Sequence, residues 1–311
     1  MTKRNQKPRK RTQKKRVPKP KSAKAGLSKQ DRSKIKEAVC SQIDPFCDRA
    51  VGAKMYDESS WPSHTLTATK LVPVGTDANG NFALLFSSLP TYYFQTAAGF
   101  TGTVVSSWNT HVDIDNNAAH VNQFSYFRVV SSGLRFYSTV NSDADKGLVT
   151  IATDYSGSVT NLPDILATTF AEAERLPLRD CDITWVAMNT SANHSEYRSF
   201  STSTPSEMPA TSIALLGVTG AAASTTVGYV ELVTHYECRA TTTGYLGPSA
   251  TPPAPHIDAI QTIAANVAKT MKPSHITKHI SFGKKVLGAV DDAVDLVTHG
   301  LQYAPYLLAL L

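Results

Sequence analysis

Twelve basic side chains crowd the start of the chain with no acid among them: Lys3, Arg4, Lys7, Arg9, Lys10, Arg11, Lys14, Lys15, Arg16, Lys19, Lys21 and Lys24. Ammonium and guanidinium groups at this density neutralise phosphates, release counterions and bind with little regard to base sequence. No aromatic residue interleaves with them, so base stacking is not indicated. Pro8, Pro18 and Pro20 break any helix there. Almost nothing in the stretch is apolar, so it reads as a disordered polycation. Up to Lys36 it holds 16 Lys and Arg against one acid, Asp31; it therefore carries +15 of a chain that totals +6, leaving −9 on the other 275 residues. A basic arm on an acidic body implies a polyanionic partner, nucleic acid above all, reached through the arm. The alternatives are a localisation signal, which needs only about five to eight basic residues, and a solvated tail.

Other chemistry-bearing residues give weaker patterns. Asp113-Ile114-Asp115-Asn116 places oxygen side chains two residues apart. That suits a hard cation such as calcium, or simply a solvated turn; the Gly and closing Glu of an EF-hand loop are missing. Asp143 and Asp145 repeat the pattern more faintly. The sequence has no GxSxG, no HExxH, no phosphate-cradling Gly loop and no dinucleotide fingerprint. Its nine histidines support no assigned triad, so the expectation is a protein that is not an enzyme. Cys40, Cys47, Cys181 and Cys238 form no CxxC pair and have no His at zinc-finger spacing. They read as reduced thiols of an intracellular protein, with a Cys40–Cys47 bridge as the alternative. No apolar core follows the N-terminal charges as a signal peptide requires. The sequons at Asn189 and Asn193 then read as chance. No apolar run reaches the length of a membrane span.

The elements that carry these residues are mainly strands. With the arm removed, roughly 200–260 residues remain to fold, enough for one large β domain or two small ones. Asp44-Pro45 predicts a turn in a segment linking arm to body. Alternation predicts a strand over His64–Val74, and Asp77–Asn81 a turn containing the hairpin pair Asn79-Gly80. The continuous apolar run Phe82–Leu89 predicts a strand buried on both faces. Pro90 to Val121 reads as long and irregular, ending in a short helix over 117–124. Further strands are predicted over Phe124–Thr139, with a bulge or bend at Ser131-Ser132-Gly133, and over Leu148–Tyr155, Asp182–Asn189, Glu196–Phe200, Ser212–Val218 and Thr226–Arg239. In the last, Val230, Leu232, Tyr236 and Cys238 face one way and Glu231, His235 and Glu237 the other, as in a half-buried strand. Helical spacing is read over Leu162–Glu174, with Pro163 at its start. Trp185 reads as a core residue. About eight strands without a βαβ rhythm indicate an all-β sandwich or jelly roll.

After the Pro-rich linker 244–255, the spacing predicts helices in 256–311. Val286, Val290, Val294, Val297 and Leu301, with Ala293 and Ala304, fall within about 100° of a helical wheel. Three roles fit this stripe: packing on its own or a neighbouring subunit, lying in a membrane interface, or forming a coiled coil, which Gly288 and Gly300 oppose. The domain division is then arm 1–36, connecting segment 37–62, β domain 63–243, linker 244–255 and amphipathic tail 256–311.

Three stretches taken together carry a family resemblance: Asp44-Pro-Phe-Cys47 with Ala50-Val-Gly-Ala-Lys54, Tyr126-Phe-Arg128-Val-Val-Ser-Ser-Gly133-Leu-Arg135, and Gly147-Leu-Val-Thr-Ile-Ala-Thr-Asp154-Tyr155. Residues 40–240 resemble the shell domain of capsid proteins from small icosahedral RNA viruses of the nodavirus-like and tombusvirus-like kind. The resemblance implies an eight-stranded antiparallel jelly roll that self-assembles into a virion in the host cytoplasm. It also implies a basic arm directed onto a genome of single-stranded RNA. A shell of roughly 180 copies (T=3) would bring about 2,700 positive charges inside, the scale of a genome of several thousand phosphates. Relatives of this kind bind calcium between subunits through Asp side chains, which points to Asp113 and Asp115. Nodaviruses cleave themselves once near the C-terminus and release a membrane-active helix. Here Asn266-Val267 stands where Asn-Ala is usual, and the family's catalytic acid has no matching position. The competing reading is a cellular nucleic-acid-binding protein with a β-sandwich domain and a basic tail.

Overall fold

The structure is a computed structural model. It describes residues 37, 41, 44–55, 63–140, 146–153, 163–167, 172–179, 181–187, 196–201 and 213–241, and the backbone of 276–278. The basic arm, the linker and the stripe from Val286 to Leu301 lie outside the described residues.

Twelve strands, one α-helix and a 3-10 helix over Asp48–Ala50 are described: β1 (His64–Gly75), β2 (Phe82–Leu89), β3 (Tyr92–Thr101), β4 (Val104–Trp108), α1 (Asn117–Gln123), β5 (Phe124–Ser138), β6 (Leu148–Thr153), β7 (Glu172–Pro177), β8 (Asp182–Val186), β9 (Arg198–Ser199), β10 (Ala214–Thr219), β11 (Thr226–Ala240) and β12 (Ile276–Lys278). They form two antiparallel sheets. The first runs β1-β11-β5-β8-β12, with β9 added beside β5; the second runs β4-β3-β2-β10-β6-β7. Four strands of each sheet, β1-β11-β5-β8 and β2-β10-β6-β7, interleave in chain order as in a jelly roll. The β3–β4 hairpin extends the second sheet beyond β2.

The core lies between the sheets. Phe127, Leu134, Phe136, Ile183, Trp185, Val230, Leu232 and Tyr236 of the first sheet meet Leu84, Phe86, Val149, Ile151, Leu216 and Val218 of the second. Each such side chain contributes about 1.5–3 kcal/mol by leaving water. Polar tips within the core are met across the gap. Trp185 Nε1 donates to Thr153 Oγ1 at 2.9 Å, and the Tyr236 hydroxyl donates to the Ser88 carbonyl at 2.8 Å. β2 is buried along its whole length, as its apolar run predicts. Leu84 and Phe86 enter the main core, while Ala83 and Leu85 enter a second apolar cluster on the outer face of the second sheet.

Several expectations are corrected. The stretch after Pro90 is not irregular: it forms β3 and β4, joined at Gly102 with φ +64°. The helix read over Leu162–Glu174 is absent from the described part. Asp164–Ala167 is a turn whose Ile165 and Ala167 cover the second apolar cluster, and Glu172 opens β7. Its apolar spacing serves a loop crossing a sheet face, which a periodicity argument cannot separate from a helix stripe. The Asn79-Gly80 turn is present, held by Asp77 Oδ1, but it carries the chain from one sheet to the other rather than closing a hairpin. The register of β5 against β11 slips twice, at Val130 between Ser131 and Val129 and at Ser125 between Tyr126 and Phe124. α1 forms where expected. Cys47 is disulfide-bonded, which overturns the reading of reduced thiols there; Cys181 and Cys238 are free and buried, and Cys40 lies outside the described residues.

Candidate functional site

The outer face of the first sheet carries a polar arrangement over which the connecting segment is laid. β11 turns Glu231, Val233, His235 and Glu237 outward, and β5 turns Arg128 and Arg135 outward beside them. A sandwich strand normally leaves this face to water. Here His235 and Glu237 are buried, which corrects the expectation of a half-buried strand: residues 44–55 return across the sheet and cover them.

Local sequence explains how the segment lies down. Asp44 Oδ1 accepts the Phe46 N–H at 3.1 Å, and the Cys47 N–H donates to the Asp44 carbonyl at 3.1 Å, so Asp44-Pro45 forms the expected turn. Gly133 provides the seat. A Cβ there would stand 2.7 Å from both Phe46 Cε2 and Pro45 Cγ. The Arg135 guanidinium covers the Phe46 ring at 4.1 Å and lies 4.0 Å from Asp44 and 3.8 Å from Glu231. Thus the Asp-Pro-Phe-Cys stretch and the Arg128–Arg135 stretch, separate in sequence, form one contact.

Two further contacts fasten the segment. His235 Nε2 lies 2.8 Å from the Pro45 carbonyl and Nδ1 lies 2.9 Å from Thr67 Oγ1. A carbonyl only accepts, so Nε2 carries the proton and the threonine hydroxyl donates to Nδ1 in the neutral ring. Burial holds this histidine below its ordinary value. Glu237 receives Arg128 Nε at 3.0 Å, Arg128 Nη2 at 2.6 Å, the Met55 N–H at 3.1 Å and the Ser63 hydroxyl. Arg128 Nη2 also donates to the Met55 carbonyl at 3.3 Å. Tyr197 lies between two guanidinium groups, Arg239 at 3.6 Å and Arg128 at 4.6 Å; burial first, then Glu237, pushes its hydroxyl up to about 12. This arrangement clamps residues 44–55 to the outer face of the first sheet. Sequence reasoning placed Glu237 and His235 on one side of β11 but missed their task. The available signal was a buried-type Arg-Val-Val run opposite an acid-bearing strand.

Asp113 and Asp115 lie on the loop between β4 and α1. Lys70 Nζ donates to Asp115 Oδ1 at 2.7 Å, and Asn117 Nδ2 donates to Asp113 Oδ2 at 2.8 Å, while Asp113 Oδ1 is buried without a hydrogen-bond partner. Among the described residues no group of three or more His, Cys, Asp or Glu is placed to hold a metal ion. Calcium takes about six to eight oxygens, more than Asp113 and Asp115 supply by themselves. Among the described residues no helix is long and apolar enough to cross a membrane.

No protein-family model matches the chain, and no curated protein matches it in sequence. Solved structures do match its fold. The T=13 viral particle of infectious bursal disease virus aligns with a TM-score of 0.62 at 8% identity, over 85% of this chain and 98% of that chain. The VP2 subviral particle of the same virus aligns at 0.56 and 7% identity, over 82% of this chain and 98% of that one. Identities this low show a shared jelly-roll architecture.

Proposed function

We propose that this chain is the shell subunit of a small non-enveloped virus, which self-assembles into a closed particle and gathers its genome through the basic arm. The observation that carries the reading is the attachment of an arm of charge +15 to a jelly roll by a segment clamped across one sheet. On this reading the clamp would set the side of the body from which the arm departs. A tiled shell needs this if every arm is to meet the same interior. The likeness to particle-forming proteins supports the reading at the level of fold, and the nodavirus-like and tombusvirus-like motifs supply its finer form: an RNA genome and about 180 copies packaging it by charge.

Lys3 to Lys24 act as phosphate neutralisers. Asp113 and Asp115 act as calcium ligands shared with a neighbouring subunit that adds the missing oxygens and displaces Lys70. The stripe Val286, Val290, Val294, Val297 and Leu301 acts on the host membrane during entry. The role is structural rather than enzymatic; a single self-cleavage near Asn266 would appear as two species in the intact mass of aged particles.

Negative-stain microscopy of the full-length protein beside a form lacking residues 1–36, with absorbance ratios after nuclease, tests the proposal. The expected result is uniform closed particles that protect nucleic acid only when the arm is present. Small soluble species in both samples, across salt, pH and added calcium, would overturn it and favour a cellular nucleic-acid-binding protein.

A further inference from the structure

From Ala78 to Val112 the chain has no Asp, Glu, Lys or Arg, although these make up 18% of the whole. In β2 burial explains this. In the β3–β4 hairpin it does not, because Ala98, Thr101, Val104, Ser106, Ser107 and Thr110 are exposed. The second sheet ends in two edge strands of opposite character. β7 carries Glu172, Glu174 and Arg175, the usual protection of an edge against pairing with another chain. β4 (VVSSW) carries no charge at all, and Val104 is 40% exposed. The 163–165 turn covers only its beginning: the Val105 N–H donates to the Pro163 carbonyl at 3.0 Å and the Ile165 N–H to the Thr103 carbonyl at 2.9 Å. Beyond that turn, no other described strand than β3 pairs with β4.

We infer that the β3–β4 hairpin is the surface on which a second copy of this chain docks, hairpin against hairpin with the β4 edges antiparallel. The inference rests on the shell-subunit reading and adds which part of the subunit makes the contact. Charge selects the occupant. Outside the arm the chain sums to −9, so two bodies repel wherever their charged surfaces face each other. The uncharged hairpin is complementary to itself, which an isologous contact requires. Its half-buried Phe100 and Trp108, at the margin of the second apolar cluster, give the aromatic, charge-poor centre typical of interfaces. The β4 edge adds directional backbone hydrogen bonds.

The test uses three full-length variants. Val104→Glu/Ser106→Glu places like charges face to face, and Ala222→Glu/Ala223→Glu adds the same charge to the exposed turn before β11. Ser107→Cys reports proximity. The expected result is that the hairpin double variant keeps its circular dichroism and melting curve but loses particle yield roughly tenfold or more. The turn variant assembles like the parent, and mild oxidation of Ser107→Cys particles yields a chain dimer on a non-reducing gel. Assembly of the hairpin variant at the parental level, equal loss in the turn variant, or no dimer from Ser107→Cys particles would each overturn the inference. If the hairpin variant does not fold, the cysteine result decides. If the parent forms no particles, the shell reading fails by itself; a dimer in sedimentation that Val104→Glu/Ser106→Glu abolishes then supports the contact, and a strict monomer overturns it.

Discussion

Arg128 and Glu237 meet across β5 and β11 with side chains only 1% and 5% exposed. A buried pair of this kind is costly to break, because the partner left behind keeps its charge without water. Arg128→Ala and Glu237→Gln should each destabilise by about 3–5 kcal/mol in urea unfolding. Arg128→Met with Glu237→Met should cost less than the sum of the two single changes, since no charge is stranded. It should not reach the parent, because the Met55 N–H and the Ser63 hydroxyl lose their acceptor. His235 gives a second prediction at this scale. Burial keeps His235, His64 and His120 below the ordinary 6.5, and Lys54 adds to the effect at His64. Asp44, Arg128, Arg135, Glu231 and Glu237 share the face around His235, and the acids there already face arginines. The unfolded chain therefore binds protons that the folded chain refuses, so stability is full above 6.5 and falls as pH drops from 6.5 towards the folded values. Melting temperatures between pH 7.5 and 5 should show this decline, and His235→Gln should flatten it.

Element by element, the strands that alternate or run apolar were readable, because their side chains declare a buried face: β1, β2, β5, β6, β8, β10 and β11 stand near their expected limits. β3 and β4 were not, since Tyr92, Tyr93 and Phe94 interrupt alternation and Gly99 breaks the register. The candidate site was legible only in halves. Pro45 and His235 lie 190 residues apart, and no local pattern states that a turn and a strand will touch. Gly133 was read as a bulge, whereas it is the seat for Pro45 and Phe46. Gly133→Val should therefore lift the segment while sparing the sandwich. The expected outcome is faster proteolysis within 44–55 and a loss of about 1–3 kcal/mol from overcrowding. Unchanged cleavage there would mean that the seat tolerates a side chain.

For the whole molecule, charge is divided, +15 on residues 1–36 against −9 on the other 275, so under the proposed function the arm would attract phosphates and the acidic body would not compete for them. The clamp of residues 44–55 adds an order in time. Met55 meets Glu237 and Pro45 meets His235, so the face that receives the segment is complete only when β11 exists. A ribosome adding about 5–20 residues per second needs on the order of 10–40 s to get from one to the other. For most of that interval residues 1–36 are already outside the ribosome, whereas the face that receives residues 44–55 is unfinished. Under the function proposed above, such a long-range clamp would favour capture of nucleic acid during synthesis, ahead of shell closure.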